Sequence, residues 1–406
     1  MPAAIFVIAT LDTKRDEATW IAERIKLTGQ IPKIVDVSAQ GATCGDADIT
    51  RTQVLSAGGL TDSQLSTDRG VAVTQLSDCL GELLVAEFAA GRIAGIIGLG
   101  GSGGTSLIAA AVRRLPVGLP KLIVSTVASG NTNAYVDCSD LILFPSVVDV
   151  AGLNAVSMEV FQNAAHAMCG MVKHRQTLSS AKPLLGLTMF GVTTSCVMAV
   201  KQELECDGWE CLIFHATGTG GRAMEHLIAS GKIVGALDLT TTEVVDYLAG
   251  GIFPAAPNRF DVFAEHNVPL VLSFGALDMV NFGPRHSVPQ HYAERQFHIH
   301  NSQITLMRTS PSENAAAAEF IAGKVNCALG PVRVLIPEGG VSQLDANGAP
   351  FFDREADRVL FETFEKAFRP TPSHQLLRLP YNINDPGFSQ AIANQFRQIA
   401  LPRVEH

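Results

Sequence analysis

Ile93-Ala94-Gly95-Ile96-Ile97-Gly98-Leu99-Gly100-Gly101-Ser102-Gly103-Gly104-Thr105 is the stretch whose reading decides the fold. It opens as an apolar run without polar alternation, the pattern of a strand covered by helices on both faces. Glycines follow, and then a helical period runs over 105–114. Glycines let a backbone approach a ligand closely, and N–H groups at a helix start favour an anion. Strand, glycine turn and helix in that order make half of a βαβ unit.

Working outward, the same unit recurs. Strand-like runs fall at 5–9, 33–37, 93–99, 121–127 and 141–145, then at 184–190, 211–214, 233–237, 270–274, 304–307 and 332–336. Helical periods lie between and after them at 15–27, 75–90, 105–114, 153–174, 196–205, 222–230, 312–328, 355–368 and 386–400. This alternation predicts an α/β chain of two Rossmann-like domains, each a mostly parallel sheet flanked by helices. The polar, proline-ended segment 174–183 places the boundary near 180, giving domains 1–180 and 181–406.

Composition narrows the function. With 406 residues, 47% apolar and 17% charged, the chain is neither disordered nor fibrous. A net charge of −9 without clustered Lys and Arg argues against nucleic acid as a partner. No apolar run reaches the roughly 18 residues of a membrane span, and residues 1–9 read as a first strand rather than a leader. The eight cysteines (44, 79, 138, 169, 196, 206, 211 and 327) show no CxxC spacing, so reduced thiols and a cytoplasmic setting are expected.

The glycine turn lacks GxxxxGK[ST] and is no P-loop. Gly98, Gly100 and Gly103 fit GxGxxG, but no acid stands between Phe88 and Val136 to hold a ribose, whereas Arg92, Arg113, Arg114 and Lys121 do stand there. The turn therefore suits a phosphate. Two further loops are expected at the same sheet edge: Thr10-Leu11-Asp12-Thr13-Lys14 after the first strand, and the small polar 125–131 segment, with Ser129 and Gly130, after the fourth. In the second half, Gly218, Gly220 and Ala223 satisfy GxGxxA, and Asp238 follows Gly218 by twenty residues. By spacing this is the better dinucleotide fingerprint, and it sustains an alternative reading as an NAD(P)-dependent enzyme. His215 with Glu225 offers an acid–base pair. His286, His291, His298 and His300 cluster in sequence without a carboxylate set, as in a polar loop or interface, although His298 and His300 on one strand would point the same way.

Several strings taken together are more specific than any one of them. Thr10-Leu11-Asp12-Thr13-Lys14, the 98–105 loop, Val148-Asp149-Val150-Ala151-Gly152-Leu153-Asn154, and segments 187–193, 214–225, 237–243, 275–283 and 336–345 occur in this order. The chain resembles, to about residue 368, the ATP-binding domain family named for the N-terminal domain of the tomato mosaic virus resistance protein. The resemblance implies a two-domain Rossmann-like fold, ATP binding and a homodimer. In the plant protein the region inhibits a viral replication protein and continues into a barrel resembling phosphoenolpyruvate hydrolases. A separately encoded barrel protein is thereby implied as a partner.

The expectation is an ATP-dependent or ATP-regulated enzyme acting on a small metabolite. The phosphates are expected on Gly100, Gly101, Ser102, Gly103, Gly104 and Thr105, beside Asp12, Thr13 and Lys14, with Asp12 holding Mg²⁺ through water. The second domain is expected to present a small acid or carbonyl compound, at an interdomain cleft, to His215, Arg222 and Glu243. Beside the NAD(P) alternative stands a non-catalytic module that binds a partner protein.

Overall fold

The computed structural model describes residues 2–39, 47–176 and 182–400. The chain divides into two compact units, Met1–Leu178 and Ser179–His406. The boundary placed near 180 and Cys44 lie outside the described residues.

The first unit is a five-stranded sheet of β1 (Ala4–Ala9), β2 (Pro32–Asp36), β3 (Ile93–Gly100), β4 (Lys121–Ser125) and β5 (Ile142–Pro145), in the order β2-β1-β3-β4-β5. Every pairing is parallel. Strand alternation explains the two covered faces. Ile5 and Val7 pack with the helices Leu11–Leu27 and Ala155–Lys173, through Ile21, Ile25, Phe161 and Met168. Phe6 and Ile8 pack with Arg69–Ala89 and Ser102–Val112, through Leu76, Leu80, Leu84 and Ile108. Each such side chain contributes about 1.5–3 kcal/mol when fully buried. The strand order reverses direction between β1 and β3, which leaves a crevice at their carboxyl ends.

Two helices begin earlier than their apolar periods suggest. The first opens at Leu11, not at 15, because buried Leu11 donates its N–H to Asp36 Oδ1 (3.3 Å) and exposed Asp12 donates its own to Ser38 Oγ (3.0 Å); Lys14 breaks the helical geometry at φ −134°. The other opens at Ser102, so the last two glycines of the turn are already helical.

The second unit has a six-stranded parallel sheet of β6 (Leu184–Met189), β7 (Glu210–His215), β8 (Ile233–Thr240), β9 (Leu270–Gly275), β13 (Val332–Pro337) and β14 (His374–Leu379). Its order is β14-β13-β9-β8-β6-β7, the same reversal with one strand added. A small antiparallel sheet, β10 (Met279–Phe282), β12 (Thr305–Arg308) and β11 (Phe297–Ile299), leaves β9 and returns. Of these strands, β10, β11 and β14 have no counterpart among the expected runs, because they are short or mixed in polarity. No helix among the described residues is long and apolar enough to cross a membrane.

Candidate functional site

At the β1–β3 reversal a cavity of about 200 Å³ is lined by Thr10, Asp12 and Thr13 from one loop and Gly103 and Gly104 from the other, with Arg69 across from them. Both loops leave the carboxyl ends of adjacent strands, so the topology alone brings them together. Thr10 Oγ1 lies 3.1 Å from Thr13 Oγ1, and the Thr13 hydroxyl donates to Asp12 Oδ1 at 3.3 Å. The N-cap of Ser102–Val112 is Gly101, which supplies no side-chain acceptor to the first turn. Arg69 opens the helix Arg69–Ala89, and its Nη2 stands 3.9 Å from where a Cβ on Gly103 would be. Arg69 has no carboxylate partner among the described residues. A second cavity, of about 310 Å³, also touches Arg69 and is lined by Arg51, Asp62, Ser66 and Thr67.

The other expected residues of the first unit have different places. Gly100 and Thr105 shape the turn. A Cβ on Gly100 would lie 2.5 Å from the Thr105 nitrogen, while buried Thr105 Oγ1 contacts Ser125 Oγ at 2.6 Å and donates to the Gly100 carbonyl at 3.3 Å. Ser102 is exposed at the head of its helix. The Lys14 amine donates to the Val150 carbonyl at 2.6 Å. Ser129 lines a different cavity, of about 420 Å³, with Thr126, Ser146 and Asp149, and the Gly130 N–H closes a turn onto Val127.

The cations that the sequence offered to a phosphate are paired elsewhere. Arg92 meets Glu87, Arg113 meets Asp137, Arg114 meets Glu82 and Lys121 meets Asp140. Arg69 stands beside the glycines instead, and its distance from them in sequence hides it. Asp36, likewise unsuspected, is fully buried and organises the first loop through Leu11, Ser38 N–H (2.9 Å) and the Ser38 hydroxyl (2.5 Å).

The glycine turn of the second unit is filled from within. Glu243 Oε1 accepts from the N–H groups of Gly218 (2.8 Å) and Gly221 (3.2 Å), and its Oε2 takes Arg259 Nε at 3.3 Å. Arg259 also holds Asp238 Oδ2 at 2.6 Å and Glu225, and Asp238 Oδ1 accepts from Thr188 at 2.7 Å. Asp238, Glu243 and Arg259 are essentially fully buried. Burial pushes Glu225 above the ordinary glutamate range, with Arg259 opposing.

The GxGxxA spacing therefore describes an internal carboxylate site. Asp238 and Glu243 are both buried and both engaged by Arg259. The expected His215–Glu225 pair is likewise not assembled, since Glu225 serves Arg259 while exposed His215 lies against Phe190 with ring centroids 5.3 Å apart. Arg222 Nε donates to the Gly218 carbonyl at 3.0 Å. His298 stands on β11 and His300 in the turn after it. No group of three or more His, Cys, Asp or Glu among the described residues is placed to hold a metal.

Comparison with known proteins agrees across the chain. Residues 3–177 match the N-terminal domain, and 182–400 the C-terminal domain, of "Uncharacterised protein family (UPF0261)". A UPF0261 protein of Rhizobium meliloti is 46% identical over 98% of this chain and 99% of its own length. The UPF0261 protein of Clostridium tetani is 42% identical over 97% and 98%. The ToMV resistance protein Tm-1(GCR237) of Solanum lycopersicum is 45% identical over 99% of this chain, which spans 56% of that longer protein. Matched in both halves and along nearly its whole length, the chain belongs to the UPF0261 family.

Proposed function

We propose that the first unit binds the phosphates of ATP at the β1–β3 reversal, and that the protein is an ATP-dependent or ATP-regulated enzyme. The observation that carries this reading is Arg69. An arginine without a carboxylate partner among the described residues faces an uncapped, glycine-built helix start across a cavity at the strand-order reversal. Guanidinium groups, first-turn N–H groups and the helix dipole all favour a phosphate chain. The adjoining cavity, which shares Arg69, supplies room for the rest of a nucleotide. Asp12 fits a magnesium ion held through water, because Mg²⁺ on nucleotides needs one or two carboxylates beside the phosphates. When bound, the ion would neutralise phosphate charge, and Thr10 and Thr13 would offer hydroxyls to the same oxygens.

The test is calorimetric titration of the protein and of Arg69→Gln with ATP and Mg²⁺. A lost charge-assisted contact at about 1.5–3 kcal/mol predicts affinity lower by about 10- to 150-fold. Equal affinity in the two proteins, or no binding by the parent, would overturn the reading.

A further inference from the structure

A second cavity of different chemistry lies in the other unit, at the sheet edge formed by β13 and β14. It measures about 250 Å³, room for about eight waters, too little for a nucleotide and enough for a small metabolite. Glu338, directly after β13, and Arg378, near the end of β14, form one wall. The helix Arg354–Ala367 forms the other. The cavity is thus at carboxyl ends of parallel strands, where ligands of open α/β sheets bind.

Two guanidinium groups are held there against rings. Arg354 stands 5.4 Å from the centroid of Phe352, and Arg378 stands 6.0 Å from that of Phe361. Stacking fixes the orientation of a planar cation while leaving its N–H edge available. Arg378 shares itself between Glu338 (2.8 Å) and Glu365 (3.2 Å), and Arg358 between Glu355 and Glu362 (2.7 Å each). Arg354 has no carboxylate partner among the described residues.

The floor has the opposite character. Asp357 is 6% exposed, and its Oδ1 lies 2.8 Å from Arg308 Nη2. Arg308 also faces Asp345 at 3.3 Å. Behind them Asp278 takes the Ser342 hydroxyl at 2.7 Å on one oxygen and leaves the other buried without a partner. The one buried guanidinium is already shared by Asp345 and Asp357 and is not offered to a further anion, whereas the Asp357 carboxyl can accept from a hydroxyl or amine donor.

The geometry points to a second ligand site here for a small hydroxylated anion, its carboxylate or phosphate paired with Arg354 at the mouth and its hydroxyl donating to Asp357 at the floor. The site rests on residues of one unit and needs no nucleotide.

Calorimetry with glycerate and with glycerol 3-phosphate tests it in the Arg69→Gln protein, where the proposed phosphate cavity is disabled. Saturable one-to-one binding of either probe is expected, and the probe that binds identifies carboxylate or phosphate as the preferred anion. Adding Arg354→Gln should weaken that binding about tenfold or more. Arg354 is exposed, so an unchanged melting temperature will show that the doubly substituted protein is folded. Equal binding with and without Arg354→Gln, or no saturable binding of either probe, would overturn the proposal. ATP titration of the unsubstituted chain reports separately on the first site.

Discussion

Glu243 Oε1 sits 2.8 Å from the backbone nitrogen of Gly218 and so holds the position a bound anion would take over the second glycine turn. Its negative charge is matched by Arg259, which also serves Asp238 and Glu225. Removing one member of a buried charge cluster leaves the others uncompensated. Glu243→Ala should therefore lower the unfolding free energy by about 3–5 kcal/mol, read from urea denaturation. Gly221→Ala should act in the same direction, since its Cβ would come within 2.3 Å of Glu243 Oε2.

Two glycines of the first turn should respond differently. A Cβ on Gly100 meets backbone at 2.5 Å, and the main chain must shift to admit it. Gly100→Ala should destabilise the first unit, as thermal unfolding will show. At Gly103 the only atom of the described residues near such a Cβ is Arg69 Nη2, at an ordinary 3.9 Å. Gly103→Asp should fold with a nearly unchanged melting temperature and lose ATP, because the new carboxylate pairs with Arg69.

Thr105 tests what holds the turn in shape. Thr105→Val keeps the side-chain volume and removes the hydroxyl that contacts Ser125 at 2.6 Å. Leaving a buried partner unsatisfied should cost about 1–3 kcal/mol in the same denaturation experiment.

Asp246 supplies a pH signature. Burial pushes its carboxyl up to about 7, against the N–H groups of Phe253 and Asn281 that favour the charged form. An acid that binds its proton more tightly when folded stabilises the protein fully below its unfolded pKa of 3.8. That contribution, on the order of 4 kcal/mol, is lost as pH rises toward 7. Asp246→Asn should flatten this part of the stability–pH curve. A curve that keeps the parent's slope would show that other groups cause it.

The sequence carried the parallel sheets well, because β1 and β3 are apolar enough to be buried on both faces and are followed by clear helical periods. It carried β10, β11 and β14 poorly. Met279–Phe282 and Phe297–Ile299 are only four and three residues long and pair antiparallel to β12, a long-range arrangement that leaves little local pattern. In the site, Asp12, Thr13, Gly103 and Gly104 were legible because strand ends place them. Arg69 was not, since an arginine at the start of a helix more than thirty residues upstream has no signal of its own. Glu243 is the converse case. Its place after a strand is legible in the sequence, whereas its buried partner Arg259, sixteen residues on, is not.

The filled turn of the second unit also bears on how the molecule breathes. With Glu243 as a permanent resident, the amides of Gly218 and Gly221 are protected at all times, so their deuterium uptake should be slow and indifferent to added nucleotide. The first-turn amides of Ser102, Gly103 and Gly104 have no such resident among the described residues. They should exchange quickly in the empty protein and slow only when an outside guest arrives, so that one glycine turn keeps its own time and the other keeps that of its ligand.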